Sequence, residues 1–298
     1  MKGYFHLCSD GKLTRRFISS ESDYYAAFNL TGVCAAQTNV SVLAFSIGES
    51  HPHQLIYADL AEAKRFMNLY ERSYTRHIVV DRKGLDGVEF KMELFPVDSQ
   101  DYLKTVGTYV ISQPTKDGKS VMPYDYRWGT GSMYFRPDGH VSIWRYDNQG
   151  NKLPTVPVGD LAIRTRMSLL HSKRPVPSHW LTCNGLLLPE NYVDVRHFEN
   201  IYRTHNSFRA FLSTGRSKDM EVLSAIAASR GIALDDREAG EICRMTCQEL
   251  FGFSDTRKLI PEQRLSMARE LRQSHHLSLR QIATLTRLPE EEVARYIR

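Results

Sequence analysis

The chain has 298 residues, room for about two domains at roughly 100–200 residues each. Its 42% apolar and 24% charged residues exclude a disordered tail protein, and no run reaches the roughly 18 uncharged apolar residues of a spanning helix. The formal charge of +5 is compatible with a nucleic-acid partner without demanding one.

Taken in order, GYFHLC (3–8) reads as a strand. The Ser/Asp-rich SSESD caps a helix over 22–37, with Tyr24, Tyr25, Phe28 and Val33 at helical spacing. VSVLAFSI (40–47) and HQLIY (53–57) follow as two strands joined by the turn residues GES. Leu60, Ala63, Met67, Tyr70, Tyr74 and Ile78 recur every three or four positions, which predicts a long amphipathic helix. VEFKMELF (88–95) alternates like a half-buried strand, and 98–112 is a further helix with Tyr102, Val106 and Tyr109 on one stripe. A β-α-β-β-α-β-α order implies an α+β chain with a ferredoxin-like antiparallel sheet and helices packed on one face.

Composition then shifts. Residues 137–194 are expected to be an irregular connector, because six of the twelve prolines fall between 137 and 189. HVSIWRYDNQGNKL offers a hairpin within it, with Asn148–Gly150 as the turn. From 195 to 298 the pattern is mainly helical. Two runs at its end, with Ser278 capping the first and a break near Thr286–Pro289, suit a helix-turn-helix over 264–298 or an ordinary helical hairpin.

The N-terminus MKGYFHLCSDGK has no apolar h-region, so no signal peptide is expected. Five cysteines with no CxxC pair suggest reduced thiols, a cytoplasmic setting and no structural zinc site. Cys243 and Cys247 fall on an apolar helix and read as buried thiols. GTGS (Gly129–Ser132) lacks the lysine of a phosphate-binding loop and reads as a turn.

Two short segments carry chemistry. In ESHPHQLIY, His51 and His53 alternate, so on a strand both imidazoles share a face and form half of a divalent-metal site. Two ordinary surface histidines are the plainer reading, and Pro52 points to a strand's edge or first residue. In TYVISQP, Tyr109 and Gln113 are one helical turn apart, and Pro114 is expected to end the helix at Gln113. Taken alone, Tyr109 on its apolar stripe reads equally as core.

In combination these segments resemble the single-tyrosine HUH transposases of the insertion sequence 200 type, in particular the REP-associated tyrosine transposases. The likeness runs through residues 3–136: FISSESDYYAAF, Ser50-His51-Pro52-His53, Ser73-Tyr74-Thr75-Arg76, Tyr109-Val110-Ile111-Ser112-Gln113-Pro114 and PYDYRWGTGS, in family order. Ser50 and Gln113 stand where the family favours Asn.

The resemblance implies an HUH endonuclease domain over 1–136 in which His51, His53 and Gln113 hold Mg²⁺ or Mn²⁺. Tyr109 would attack single-stranded or hairpin DNA to give a 5′-phosphotyrosine and a free 3′-OH. It also allows a homodimer, with Tyr109 acting in cis or in trans. The alternative is a domesticated DNA-binding regulator that keeps the fold without cleavage. Residues 256–298 carry nine basic residues against five acids, a net +4. Arg280, Arg287 and Arg295 are therefore expected to contact DNA backbone, while Glu290–Glu292 make the last helix a poor groove reader.

Overall fold

The computed structural model describes residues 2–9, 17–48, 51–81, 90–116, 122–136, 143–213, 236–273, 275, 277 and 279–296. Four strands, β1 (Lys2–Ser9), β2 (Ser41–Ile47), β3 (Pro52–Asp59) and β4 (Met92–Val97), pair antiparallel in the order β2-β3-β1-β4. The central pairing sets Cys8 opposite His53 and His6 opposite Leu55, and β4 sets Phe95 opposite His6 and Glu93 opposite Cys8.

Helix α1 (Glu21–Ala36) begins in a capping box, with the Ser20 side chain on the Asp23 N–H and the Asp23 carboxylate on the Ser20 N–H. With α2 (Leu60–Asp81) it covers one sheet face. Phe28 packs on Phe45 at 5.0 Å, and the Gln54 amide donates to the Thr31 hydroxyl at 3.1 Å. Helix α3 (Gln100–Lys116) covers the opposite face, where Tyr109 meets His53 and the Ser46 hydroxyl reaches the Val110 carbonyl. The expectation of helices on one face only is thus corrected. Strand β3 is buried along both of its sides, Gln54 and Ile56 on one and His53 and Leu55 on the other, and a sheet with such strands needs two covers.

Two boundaries also move. Strand β4 starts at Met92 rather than 88; the Phe90 N–H is taken by the Thr75 hydroxyl of α2, and 82–89 lie outside the described residues. Helix α3 does not stop at Gln113 but runs through Pro114 to Lys116. Proline has no N–H to give the carbonyl four residues back, that of Val110, and Ser46 supplies the missing donor at 2.7 Å. The cost of an interior proline is lowered from the sheet side.

The proline-rich stretch is built into the same unit. It forms α4 (Ile163–Leu170) and a three-stranded sheet of β5 (Val156–Pro157), β6 (Leu181–Cys183) and β7 (Leu186–Leu187). Val158, Leu170 and Leu187 close on Val33 of α1. The Asn29 amide donates to the Leu169 and Gly185 carbonyls and accepts from the Leu187 N–H, so one α1 side chain holds both the helix and the small sheet. Tyr146 and Lys152 make one antiparallel bridge around a turn whose Gly150 has φ +81°. Helices α5 (Val195–Tyr202) and α6 (His205–Ser213) complete the segment.

Contacts divide the chain into two compact units, Met1–Leu212 and Ser213–Arg298. The second contains α7 (Asp236–Phe251), α8 (Pro261–Gln273), α9 (Leu279–Thr286) and α10 (Glu290–Tyr296). Its core joins Ile242, Cys247, Met267, Leu271, Ile282 and Val293. Cys243 lies in that core too, and burial pushes its thiol up to about 12. Arg287, between α9 and α10, adopts the left-handed conformation at φ 57°. Ser278 lies outside the described residues. Among the described residues, no helix is long and apolar enough to cross a membrane.

Candidate functional site

The alternation of β1 sends Tyr4, His6 and Cys8 to the α3 side of the sheet and Phe5, Leu7 and Ser9 to the other. Because Cys8 stands opposite His53, the ladder gathers donors from two strands at one spot. His6 Nε2 lies 3.1 Å from His53 Nδ1, and the two rings are nearly parallel. Donor atoms of His6, Cys8 and His53 all fall within 4.8 Å of one another, and the three side chains are buried.

His51, half-buried, places its ring 4.4 Å from that of His53, so the two alternate histidines do share a side. Helix α3 brings Tyr109 over them, its ring meeting His53 edge-on at 5.3 Å and His6 at 5.8 Å. Phe95 of β4 closes on His6 at 6.0 Å. Gln113 is buried one turn beyond Tyr109, and its amide nitrogen donates back to the Tyr109 carbonyl at 3.3 Å.

His6 and Cys8 are absent from the sequence-based site. The signal was present, a His-x-Cys on a strand, but the partner that gives it meaning comes from a strand 47 residues further on. Glu93, across the ladder from Cys8, is the neighbouring carboxylate on this face. Glu49 and Ser50 lie outside the described residues.

A divalent ion at this face would meet two imidazoles and a thiol. Mg²⁺ takes oxygen ligands in strict octahedral geometry, and the group of His6, Cys8 and His53, as distinct from His51, His53 and Gln113, offers it none. Manganese shares the preference for oxygen, and the thiol argues against it as well.

Of the other residues singled out in the sequence, Arg280, Arg287 and Arg295 are exposed in the second unit, on α9, at the α9–α10 junction and on α10. His275 pairs with the Thr246 hydroxyl at 3.2 Å, and His171 packs edge-on to His77 at 4.8 Å. Gly131–Met133 form a single 3₁₀ turn where GTGS was read as a turn.

Comparison of the chain with family models, with characterised proteins and with solved structures finds no match in any of the three.

Proposed function

We propose that the first unit is a single-strand DNA endonuclease and strand transferase of the HUH single-tyrosine type, with Tyr109 as the nucleophile. The observation that carries this reading is the Tyr109 ring set edge-on against His53, with His51 beside it on the same strand. The strand order supports the family's ferredoxin-like architecture: β2-β3-β1-β4, with one helix in each β-α-β half, is the order that two split β-α-β units produce.

In the reaction, the Tyr109 oxygen forms a bond to phosphorus while the bond from phosphorus to the 3′-oxygen breaks. The phenol proton ends on the departing 3′-oxygen, and the phosphotyrosine keeps the energy needed to rejoin the strand. A phenol with a pKa of about 10 needs help to lose its proton at neutral pH, and we assign that help to His51, which stands beside His53. The second unit would hold duplex or hairpin DNA through Arg280, Arg287 and Arg295, a contact by charge rather than by sequence.

A second reading, a regulator that binds DNA without cutting it, is favoured by one observation: Tyr109 is only 4% exposed. Incubating the full chain with labelled single strands taken from the DNA flanking its gene, with Mn²⁺ or Zn²⁺, separates the two. The nuclease reading expects a covalent protein–DNA adduct that disappears in Tyr109→Phe. An adduct that survives the substitution, or none with either ion, removes it.

A further inference from the structure

We propose that His6, Cys8 and His53 form a three-donor site for a borderline-soft transition-metal ion, Zn²⁺ above all. The inference shares a sheet face with the nuclease reading but stands without it, because zinc can be bound here whether or not DNA is cut.

Four features converge. The first is placement. Cys8 and His53 are ladder partners, and His6 is two residues from Cys8 on the same strand, so the sheet register sets all three side chains on one face before any ion arrives. The second is distance. Zinc–nitrogen bonds of about 2.0–2.1 Å at a tetrahedral angle set two nitrogens about 3.3 Å apart, and a thiolate at about 2.3 Å sits about 3.6 Å from each. The two imidazole nitrogens already face each other at 3.1 Å, and all three donors lie within 4.8 Å. The sulfur closes by at most about 1.2 Å, from the 4.8 Å bound to about 3.6 Å, to complete the geometry.

The third feature is donor chemistry. A thiolate with imidazoles suits Zn²⁺ or Co²⁺ and disfavours Mg²⁺, whatever the supply of oxygen ligands nearby. The fourth is the count. Three protein ligands leave one position of a tetrahedron open, the pattern of a zinc ion that takes water or a substrate oxygen as its fourth ligand.

Protons balance simply. Each neutral imidazole keeps one proton. The proton shared between His6 Nε2 and His53 Nδ1 must leave that position and return to the other nitrogen of its own ring. The Cys8 thiol gives its proton to solvent, so each ion bound releases a single proton, and affinity falls as pH drops.

The experiment uses the full-length chain, stripped with a chelator and titrated with Zn²⁺ against a chromophoric competitor, with Co²⁺ as the spectroscopic probe. We expect one ion per chain, a sulfur-to-cobalt charge-transfer band, and one sulfur in the zinc shell by X-ray absorption. Loss of a second-shell partner costs about 10–100-fold in metal affinity, so loss of a ligand in Cys8→Ser or His6→Gln should cost more than about 100-fold. The charge-transfer band should vanish in Cys8→Ser. A zinc shell of nitrogen and oxygen alone in the unaltered protein overturns the proposal, as does unchanged affinity in both variants. The absorption measurement decides the matter even if a variant fails to fold. DNA cleavage without the sulfur ligand would keep the nuclease and remove this site, whereas a sulfur-bound ion without cleavage would do the reverse.

Discussion

Asp23 does two jobs from a buried position. It closes the α1 capping box and accepts from His77 Nε2 at 3.1 Å. Burial alone would raise its carboxyl, but hydrogen bonds from His77, Ser19 and Ser20 outweigh it and hold the group well below the usual carboxylate range. A folded value below the unfolded one stabilises the protein fully above about pH 4, and that contribution is lost as acid protonates the group. Asp23→Asn should therefore cost about 1–3 kcal/mol at pH 7. In urea denaturation the gap from wild type should narrow by about 1 kcal/mol per pH unit below about pH 4; a gap that stays constant down to pH 3 would contradict this. Residues differ in how plainly the sequence exposes them. Ser20 and Asp23 at the start of α1 were legible because capping is local, and His51 and His53 because alternation on one strand is local. His6 and Cys8 looked like filler in an apolar strand, since only the pairing of β1 with β3 makes them neighbours of His53.

Helix α3 shows the same limit one level up. Its hydrophobic stripe was readable, but its end was not, because the donor that satisfies the Val110 carbonyl belongs to β2. Ser46→Ala should leave that buried carbonyl without a donor and cost about 1–3 kcal/mol. Pro114→Ala restores a backbone N–H at the right position, so the double variant should recover most of the loss in a thermal or urea melt. Losses that simply add would show that Ser46 acts by some other route. The helical cover on both faces, too, follows from a burial pattern along β3 that a short mixed run such as HQLIY does not reveal.

At the scale of the molecule, the drop in periodicity after 136 suggested a boundary, yet the first compact unit extends to Leu212. Short segments with little periodicity were gathered by single α1 side chains such as Asn29, a form of order that hydropathy patterns do not record. The second unit has its own core, and its basic residues concentrate at its end, with nine against five acids in 256–298. A chain ending at Leu212 is expected to unfold cooperatively and to retain adduct formation on a short single strand. Its affinity for a hairpin should be weaker and less dependent on salt, because fewer phosphate-bound counterions are released. Equal affinity and salt slope for the two chains would assign the second unit a role unrelated to DNA.

The cluster on β1 and β3 is finally a matter of parity. Even-numbered residues of β1 and odd-numbered residues of β3 meet on one side, as the pairing of Cys8 with His53 requires. A single residue inserted between His6 and Cys8 would send the two to opposite sides of the sheet. With a neutral residue added, the net charge and the alternation of His51 and His53 at the start of β3 would be unchanged, yet the three-donor group would cease to exist. Any chain derived from this one can therefore be sorted by counting: an even number of added residues between those two positions can preserve the shared face, and an odd number destroys it.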